Sequence, residues 1–443
     1  MTTTPVRVRG HWTQMGTAER ADLIERGKGA IFDPALRESV LEIIEDVRDN
    51  GDAALVRALA KFDRCTVEPE GIRVSEAEFA AARKGLDDGL LTAIRDSISH
   101  IRRFNEELLS HSPDWSFETE PGVVVGEKSS PIASAGLFVP SGKGSFPSVL
   151  VQLGTPAVVA GVPQVAVVVP PVPGSGGVVD PAVLVVADEL GLHDVFRANG
   201  PAGIAALAFG TESVPKVRKV CGPGSPPVTI AQIEVQRFGT ASVMLLGPSE
   251  SLVLADDSAD PYLLAADLLN EAEHGPDSSS VLVTDSAELL AKVQVEVARQ
   301  LADLPAPRDA YALAALSNGG AVLVDDMVQG AEVANAYAPE HMQLVVRDED
   351  AILALLHDAG EILLGQFTTV SMANFVLGCP AALPTSGYAK VSSGVTVDAF
   401  RKRTAVAKSD RAGLERMAGT VVAFCRHEGF PAHELSVTRR LSR

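Results

Sequence analysis

The sequence predicts an α/β fold with two Rossmann-like parallel-sheet domains, a helical N-terminal segment and a C-terminal tail. From Ala133 onward, short β-branched runs alternate with small-residue helical stretches, the texture of βαβ units. A second alternating set begins near Ser251, so a single sheet does not account for the chain. The length of 443 residues also exceeds one ordinary core and calls for two or more α/β-sized units.

Up to about residue 130 the chain reads as mostly helical, with charge-patterned stretches at Ala18 to Gly27, Asp33 to Asn50 and Glu76 to Leu109, while Ser112 to Gly126 reads as an ordinary loop. Strands of a first parallel sheet are predicted at Gly136 to Pro140, Val165 to Pro170, Val195 to Ala198 and Lys219 to Gly222. The crossover helices between them are Ser148 to Ala160, Pro181 to Leu190 and Gly203 to Phe209. The second set has strands at Leu252 to Ala255, Ser280 to Thr284, Gly320 to Val324, Met342 to Val346 and Glu361 to Leu364. This second sheet is expected to continue to about Gly394. Its first helix is the best defined: Asp260 is the N-cap, Pro261 sits in the first turn, Leu263, Leu264 and Leu268 make an apolar stripe, and Gly275-Pro276 stops it. Further helices run from Leu289 to Leu301 and up to Tyr337, and a last one, Arg411 to His427, ends in a basic tail.

A net charge of −19 excludes the concentrated basic footprint that nucleic acid or an anionic membrane surface requires, so a small-molecule substrate fits better. Hydrophobic residues make up 46% of the chain, yet no apolar run reaches the roughly 18 residues of a membrane span. Met1 to Arg9 lacks an apolar signal core, which points to a cytoplasmic protein. Cys65, Cys221, Cys379 and Cys425 are scattered without Cys-x-x-Cys spacing, so reduced thiols are expected rather than a disulfide framework or a thiolate metal site.

Five short motifs can carry chemistry. Glu271-Ala272-Glu273-His274 places a carboxylate and an imidazole three residues apart on one face of a helix's last turn, a spacing that can hold a metal; such a His is also a favourable partner for the helix dipole. Ala338-Pro339-Glu340-His341 sets two proton-transfer groups between a helix and a strand. Glycine-rich turns at Pro140 to Gly144 and Cys221 to Ser225 follow predicted strands, where open α/β sheets bind ligands, although neither is GxGxxG. Glu428 to His433 pairs a carboxylate and an imidazole beyond the last long helix.

Read together, these motifs resemble the histidinol dehydrogenase family from about Ala18 to the C-terminus. The resemblance rests on Gly136-Leu137-Phe138-Val139-Pro140, Gly203 to Thr211, Gly222-Pro223-Gly224, Gly247-Pro248-Ser249-Glu250, Ala272 to Ser278, Ala338-Pro339-Glu340-His341, Leu383-Pro384-Thr385, Ser393-Gly394-Val395 and Glu428-Gly429-x-x-Ala432-His433. It implies oxidation of a primary alcohol to a carboxylate by two hydride transfers to NAD, through a bound aldehyde, with one zinc per site. It also implies an intertwined homodimer with shared active sites. By the same resemblance Glu340 activates water and His341 takes the alcohol proton. Ser249, Glu428, His341 and Ala381 fall at substrate positions, and Phe138, Ala202 and Ser225 at cofactor positions. The implied division is a 1–25 arm, a first α/β domain of 26–135 with 250–395, a cofactor-side domain of 136–249, and a 396–443 tail serving the partner's site.

The implied zinc ligands are Glu271, His274, Asn374 and His433, and two of them depart from the family. The family's glutamine is Glu271 and its aspartate is Asn374, so an amide and a carboxylate have exchanged places while the ligand charge is kept. Ala381 replaces the family's substrate-contacting His, and Phe138, Ala202 and Ser225 replace Tyr, Gln and Asn around the cofactor. These changes favour a small polar alcohol with a neighbouring amine or hydroxyl over histidinol, which is the second reading; some paralogues act on dihydroxypropane sulfonate, and Lys390, Arg401 and Arg403 are candidate anion contacts. A non-catalytic binding paralogue is the reading from another class.

Overall fold

The computed structural model describes residues 5–26, 29, 33–141, 144–243 and 247–443. Along the chain the strands are β1 (Val8–His11), β2 (Trp115–Glu120), β3 (Val123–Pro131), β4 (Ser134–Phe138), β5 (Gln164–Val169), β6 (Val195–Arg197) and β7 (Lys219–Cys221). They continue as β8 (Ala241–Ser242), β9 (Glu250–Ala255), β10 (Ser279–Thr284), β11 (Gly320–Leu323), β12 (His341–Val345), β13 (Glu361–Leu364) and β14 (Arg401–Ser409). Two sheets are parallel throughout: five strands in the order β6-β5-β4-β7-β8, and six in the order β1-β11-β10-β9-β12-β13. The third is antiparallel, β14-β3-β2.

The helices around the five-stranded sheet explain where the N-terminal segment goes. Every residue from Ala202 to Ala208 is buried in helix Gly200–Phe209, and so is every residue from Ala182 to Ala187 in helix Pro181–Glu189. A helix apolar on all sides needs cover on its outer face as well as on the sheet. That cover is the N-terminal segment: helix Pro34–Phe62 packs on Gly200–Phe209, Glu76–Gly85 on Pro181–Glu189, and Asp88–Ser110 on Pro147–Val159. The expected grouping put these helices with residues 250–395, whereas their packing contacts are with the helices of the five-stranded unit.

Three other expectations change. Ser112 to Gly126, expected as a loop, contains all of β2 and the start of β3, because β3 finds its second partner in β14, far along the chain. The second sheet ends at β13 rather than near Gly394, and it gains β1 from the N-terminal arm as an edge strand beside β11. The basic tail is a helix, Pro431–Leu441, with proline in its first turn. No helix among the described residues is long and apolar enough to cross a membrane.

Candidate active site

A cavity of about 540 Å³ opens between the two parallel sheets. The five-stranded sheet lends the carboxyl ends of its strands, through Phe138, Pro140, Asn199, Pro223, Gly224 and Ser225. The six-stranded sheet lends its amino ends, through Ser249 before β9, Ser278 before β10, and Glu340 with His341 at the start of β12. Gly222 shapes the first wall: its φ is +152°, and a Cβ there would meet the Phe138 carbonyl oxygen at 2.1 Å. Of the turn at Pro140 to Gly144, Gly142 and Lys143 lie outside the described residues.

Glu271 lies in the last turn of the helix Pro261–Ala272, whose N-cap Asp260 accepts from the Tyr262 amide as expected. Its side chain is buried, and Oε1 stands 3.6 Å from His274 Nε2. Two amides face the same oxygen: Asn270 Nδ2 donates at 3.0 Å and Asn374 Nδ2 at 3.4 Å. Asn374 arrives on a short helix, Val370–Phe375, tied to the other sheet's helices by Gln152, whose Nε2 donates to the Asn374 carbonyl at 3.3 Å. Gln152 also accepts from the Ala381 amide at 3.2 Å, so one buried glutamine fixes two neighbouring parts of the wall.

Glu340 and His341 follow Ala338, which caps its helix in a left-handed conformation with φ of +52°. Glu340 Oε2 accepts from the Glu250 amide at 3.0 Å, while Glu250 itself is held by Arg26 at 2.6 Å and by the Ser386 amide at 2.8 Å. His341 Nδ1 lies 2.5 Å from Glu361 Oε1 and Nε2 lies 3.8 Å from Glu340 Oε1. Carboxylate oxygens of Glu271 and Glu340 and a ring nitrogen of His341 all fall within 4.8 Å of one another. Burial pushes the Glu340 carboxyl up to about 8, against the pull of His341. Burial disfavours the His341 imidazolium, but Glu271, Glu340 and Glu361 outweigh it and push the imidazole up to about 10.

The residues singled out in the sequence divide into two sets. Phe138, Ser225, Ser249, Glu271, His274, Glu340, His341, Asn374 and Ala381 line this one cavity. Ala202 does not line it, being buried in the core where helix Gly200–Phe209 packs on all sides; Asn199, just before that helix, lines the wall instead. Glu428 and His433 are exposed on the C-terminal helices and are not among the lining residues. Lys390, Arg401 and Arg403 are engaged elsewhere, with the Ala336 carbonyl, Ser129 and Glu127 respectively, and do not line it either. Sequence reasoning missed Gln152 and Glu361. The one signal for Glu361 is a carboxylate opening an otherwise apolar strand, Glu-Ile-Leu-Leu.

With this geometry in hand, the comparisons with known proteins agree along nearly the whole chain. The pattern of the histidinol dehydrogenase family matches residues 28–441. The chain is 39% identical over 428 residues to histidinol dehydrogenase homolog 2 of Mesorhizobium japonicum, covering 96% of each. It is 39% identical over 406 residues to histidinol dehydrogenase of Bacillus subtilis, covering 91% of this chain and 93% of that one. The crystal structure of histidinol dehydrogenase from Elizabethkingia anophelis is similar with a TM-score of 0.92 at 33% identity, covering 99% of this chain and 98% of that one.

Proposed function

The chain belongs to the histidinol dehydrogenase family, and we propose that it is a zinc-dependent, NAD-linked dehydrogenase that oxidises a small polar primary alcohol, a vicinal amino alcohol or diol, through a bound aldehyde to the carboxylate. The observation that carries the reading is the convergence of Glu271, His274, Asn374, Glu340 and His341 on one cavity walled by the strand ends of both sheets. Donors on one tetrahedral zinc at about 2.0–2.2 Å lie about 3.3–3.6 Å apart. The 3.6 Å from Glu271 Oε1 to His274 Nε2 and the 3.4 Å to the Asn374 amide fit such a set. A half-turn of the Asn374 amide presents its oxygen in place of Nδ2. The site also concentrates the carboxylates of Glu271, Glu340 and Glu361 around a single imidazole, surroundings that a divalent cation would offset.

When bound, zinc supplies a Lewis acid and NAD a hydride acceptor. Glu271, His274 and Asn374, with His433 of a second copy, would hold the metal, while Phe138 and Ser225 would border the nucleotide beside the first turns of helices Pro147–Val159 and Pro226–Glu234. His341 takes the alcohol proton at Nε2, and Glu340 deprotonates the water that adds to the aldehyde. Ser249 orients the substrate, and Ala381 leaves open the space that a larger side chain would fill. Glu271, Glu273, Asp277 and Glu340 make the lining predominantly acidic, and Arg308, which also lines it, donates Nη1 to the Glu273 carbonyl. That balance favours an ammonium or hydroxyl neighbour over a sulfonate.

Glu428 and His433 lie on an arm whose apolar residues stand in solvent, with Phe424 62% exposed and Phe430 and Leu435 also exposed. An arm of this kind supports a homodimer in which each tail completes the partner's site. The test is NADH formation with histidinol, amino alcohols and diols in the presence of zinc. Turnover of an amino alcohol or diol with two NADH per substrate is expected. Robust turnover of histidinol at low concentration would move the assignment to histidinol, and no reduction of NAD with any alcohol would overturn the proposal.

A further inference from the structure

We propose that Glu361 is the positioning residue of the site, a buried carboxylate that fixes the tautomer and ring orientation of His341 so that its Nε2 lone pair faces the cavity. The inference rests on the role proposed for His341 above. The parallel register of β12 and β13 sets His341 directly beside Glu361, and both side chains are buried. Glu361 Oε1 meets His341 Nδ1 at 2.5 Å, and the Cys379 thiol donates to Oε2 at 3.4 Å, so both carboxylate oxygens are engaged.

The backbone leaves Glu361 little freedom to move away. Its amide donates to the Glu340 carbonyl at 3.1 Å, and the Gly360 amide donates to the Pro339 carbonyl at 2.9 Å. A Cβ on Gly360 would approach the Glu340 carbonyl oxygen to 2.5 Å, so only glycine permits this closeness. The strand that carries the carboxylate is thereby tied by its backbone to the segment that carries Glu340 and His341.

A neutral imidazole has one donor and one acceptor nitrogen, and the partner of one decides the role of the other. Whenever the ring is neutral, as when a bound cation offsets the surrounding carboxylates, Nδ1–H donated to Glu361 leaves Nε2 as the acceptor, 3.8 Å from Oε1 of Glu340, which lines the cavity. In the opposite tautomer Nε2 would carry a hydrogen and have no lone pair for the alcohol proton. When Nε2 takes that proton the ring becomes cationic, and Glu361 faces the new charge.

The test compares Glu361→Ala and Glu361→Gln as metal-loaded proteins, read by steady-state kinetics with the best alcohol and by 15N NMR of histidine-labelled protein. The His341 signal is assigned by its loss in His341→Asn. For Glu361→Ala the expectation is a fall in kcat of about 10²–10³-fold with KM within about threefold, and loss of the Nδ1–H tautomer. Glu361→Gln, whose amide oxygen still accepts from Nδ1–H, should keep the tautomer and lose about tenfold in kcat. An unchanged tautomer in Glu361→Ala, or kcat within about threefold of the parent, overturns the proposal. If that variant does not fold, Glu361→Gln decides: full kcat, or loss of the Nδ1–H tautomer, overturns it. Should the parent oxidise no alcohol, the proposed function fails, whereas the 15N signal still reports whether Glu361 sets the ring.

Discussion

Glu271 is a buried carboxylate that meets amide donors from Asn270 and Asn374 and an imidazole from His274. An oxygen so placed is either a structural acceptor or a metal ligand, and charge separates the two. If it ligates zinc, Glu271→Gln leaves a donor set of imidazoles and amides without anionic charge and should lower zinc content sharply. Adding Asn374→Asp to that variant returns one carboxylate to the set and should restore zinc. Metal analysis of the parent and both variants checks this, and equal zinc content in the parent and Glu271→Gln would remove Glu271 from the ligand set.

At the scale of elements, the helix Pro261–Ala272 meets β12 across a buried polar pair. Asp267 Oδ2 and Gln343 Oε1 are both buried without a partner, and burial pushes the Asp267 carboxyl up to about 6, partly opposed by a hydrogen bond from Gln343. A carboxyl whose folded pKa is raised binds its proton more tightly folded than unfolded. Its cost is therefore absent below the ordinary carboxylate pKa near 3.8, grows as pH rises to about 6, and is fully present above that. Asp267→Asn places a neutral donor beside Gln343 and should stabilise the protein at pH 7–8 by roughly 2–3 kcal/mol, with the gain vanishing near pH 4. Thermal midpoints of both proteins across pH 4–8 check it; a gain that does not change with pH would show that Asp267 does not titrate in this window. Elements of this kind differ in how far the sequence exposes them. The helix itself was legible from Asp260, Pro261 and its leucines, and the Glu340-His341 pair because the two residues are adjacent. Glu361 was hidden because parallel register, across 20 residues, makes it a neighbour of His341. The strands β2 and β3 were hidden for a related reason: β2 is exposed along its whole length, so the brief alternation of Trp115 and Phe117 with polar residues marks no buried face, and β3 is paired by β14 from far along the chain.

For the whole molecule, the decisive question is where Glu428 and His433 act. Within one chain they are exposed on the C-terminal arm, apart from the cavity that holds the other residues of the proposed site. If each arm completes a partner's site, then Glu340→Ala and His433→Ala damage different faces of a shared site, and each homodimer should be nearly inactive. A mixed dimer, however, collects both defects in one site and leaves the other intact. Random exchange makes about half the dimers mixed, each with one working site of two, so an equimolar mixture should recover about a quarter of the parent rate. The measurement is NADH formation before and after subunit exchange, with exchange followed by differently sized tags. If exchange is complete and activity does not return, the arm does not complete a site across subunits. Full activity of His433→Ala by itself would instead remove His433 from the site altogether. Recovery near a quarter would show that the site is divided between the cavity of one subunit and the tail of the other, and is complete only when two copies assemble.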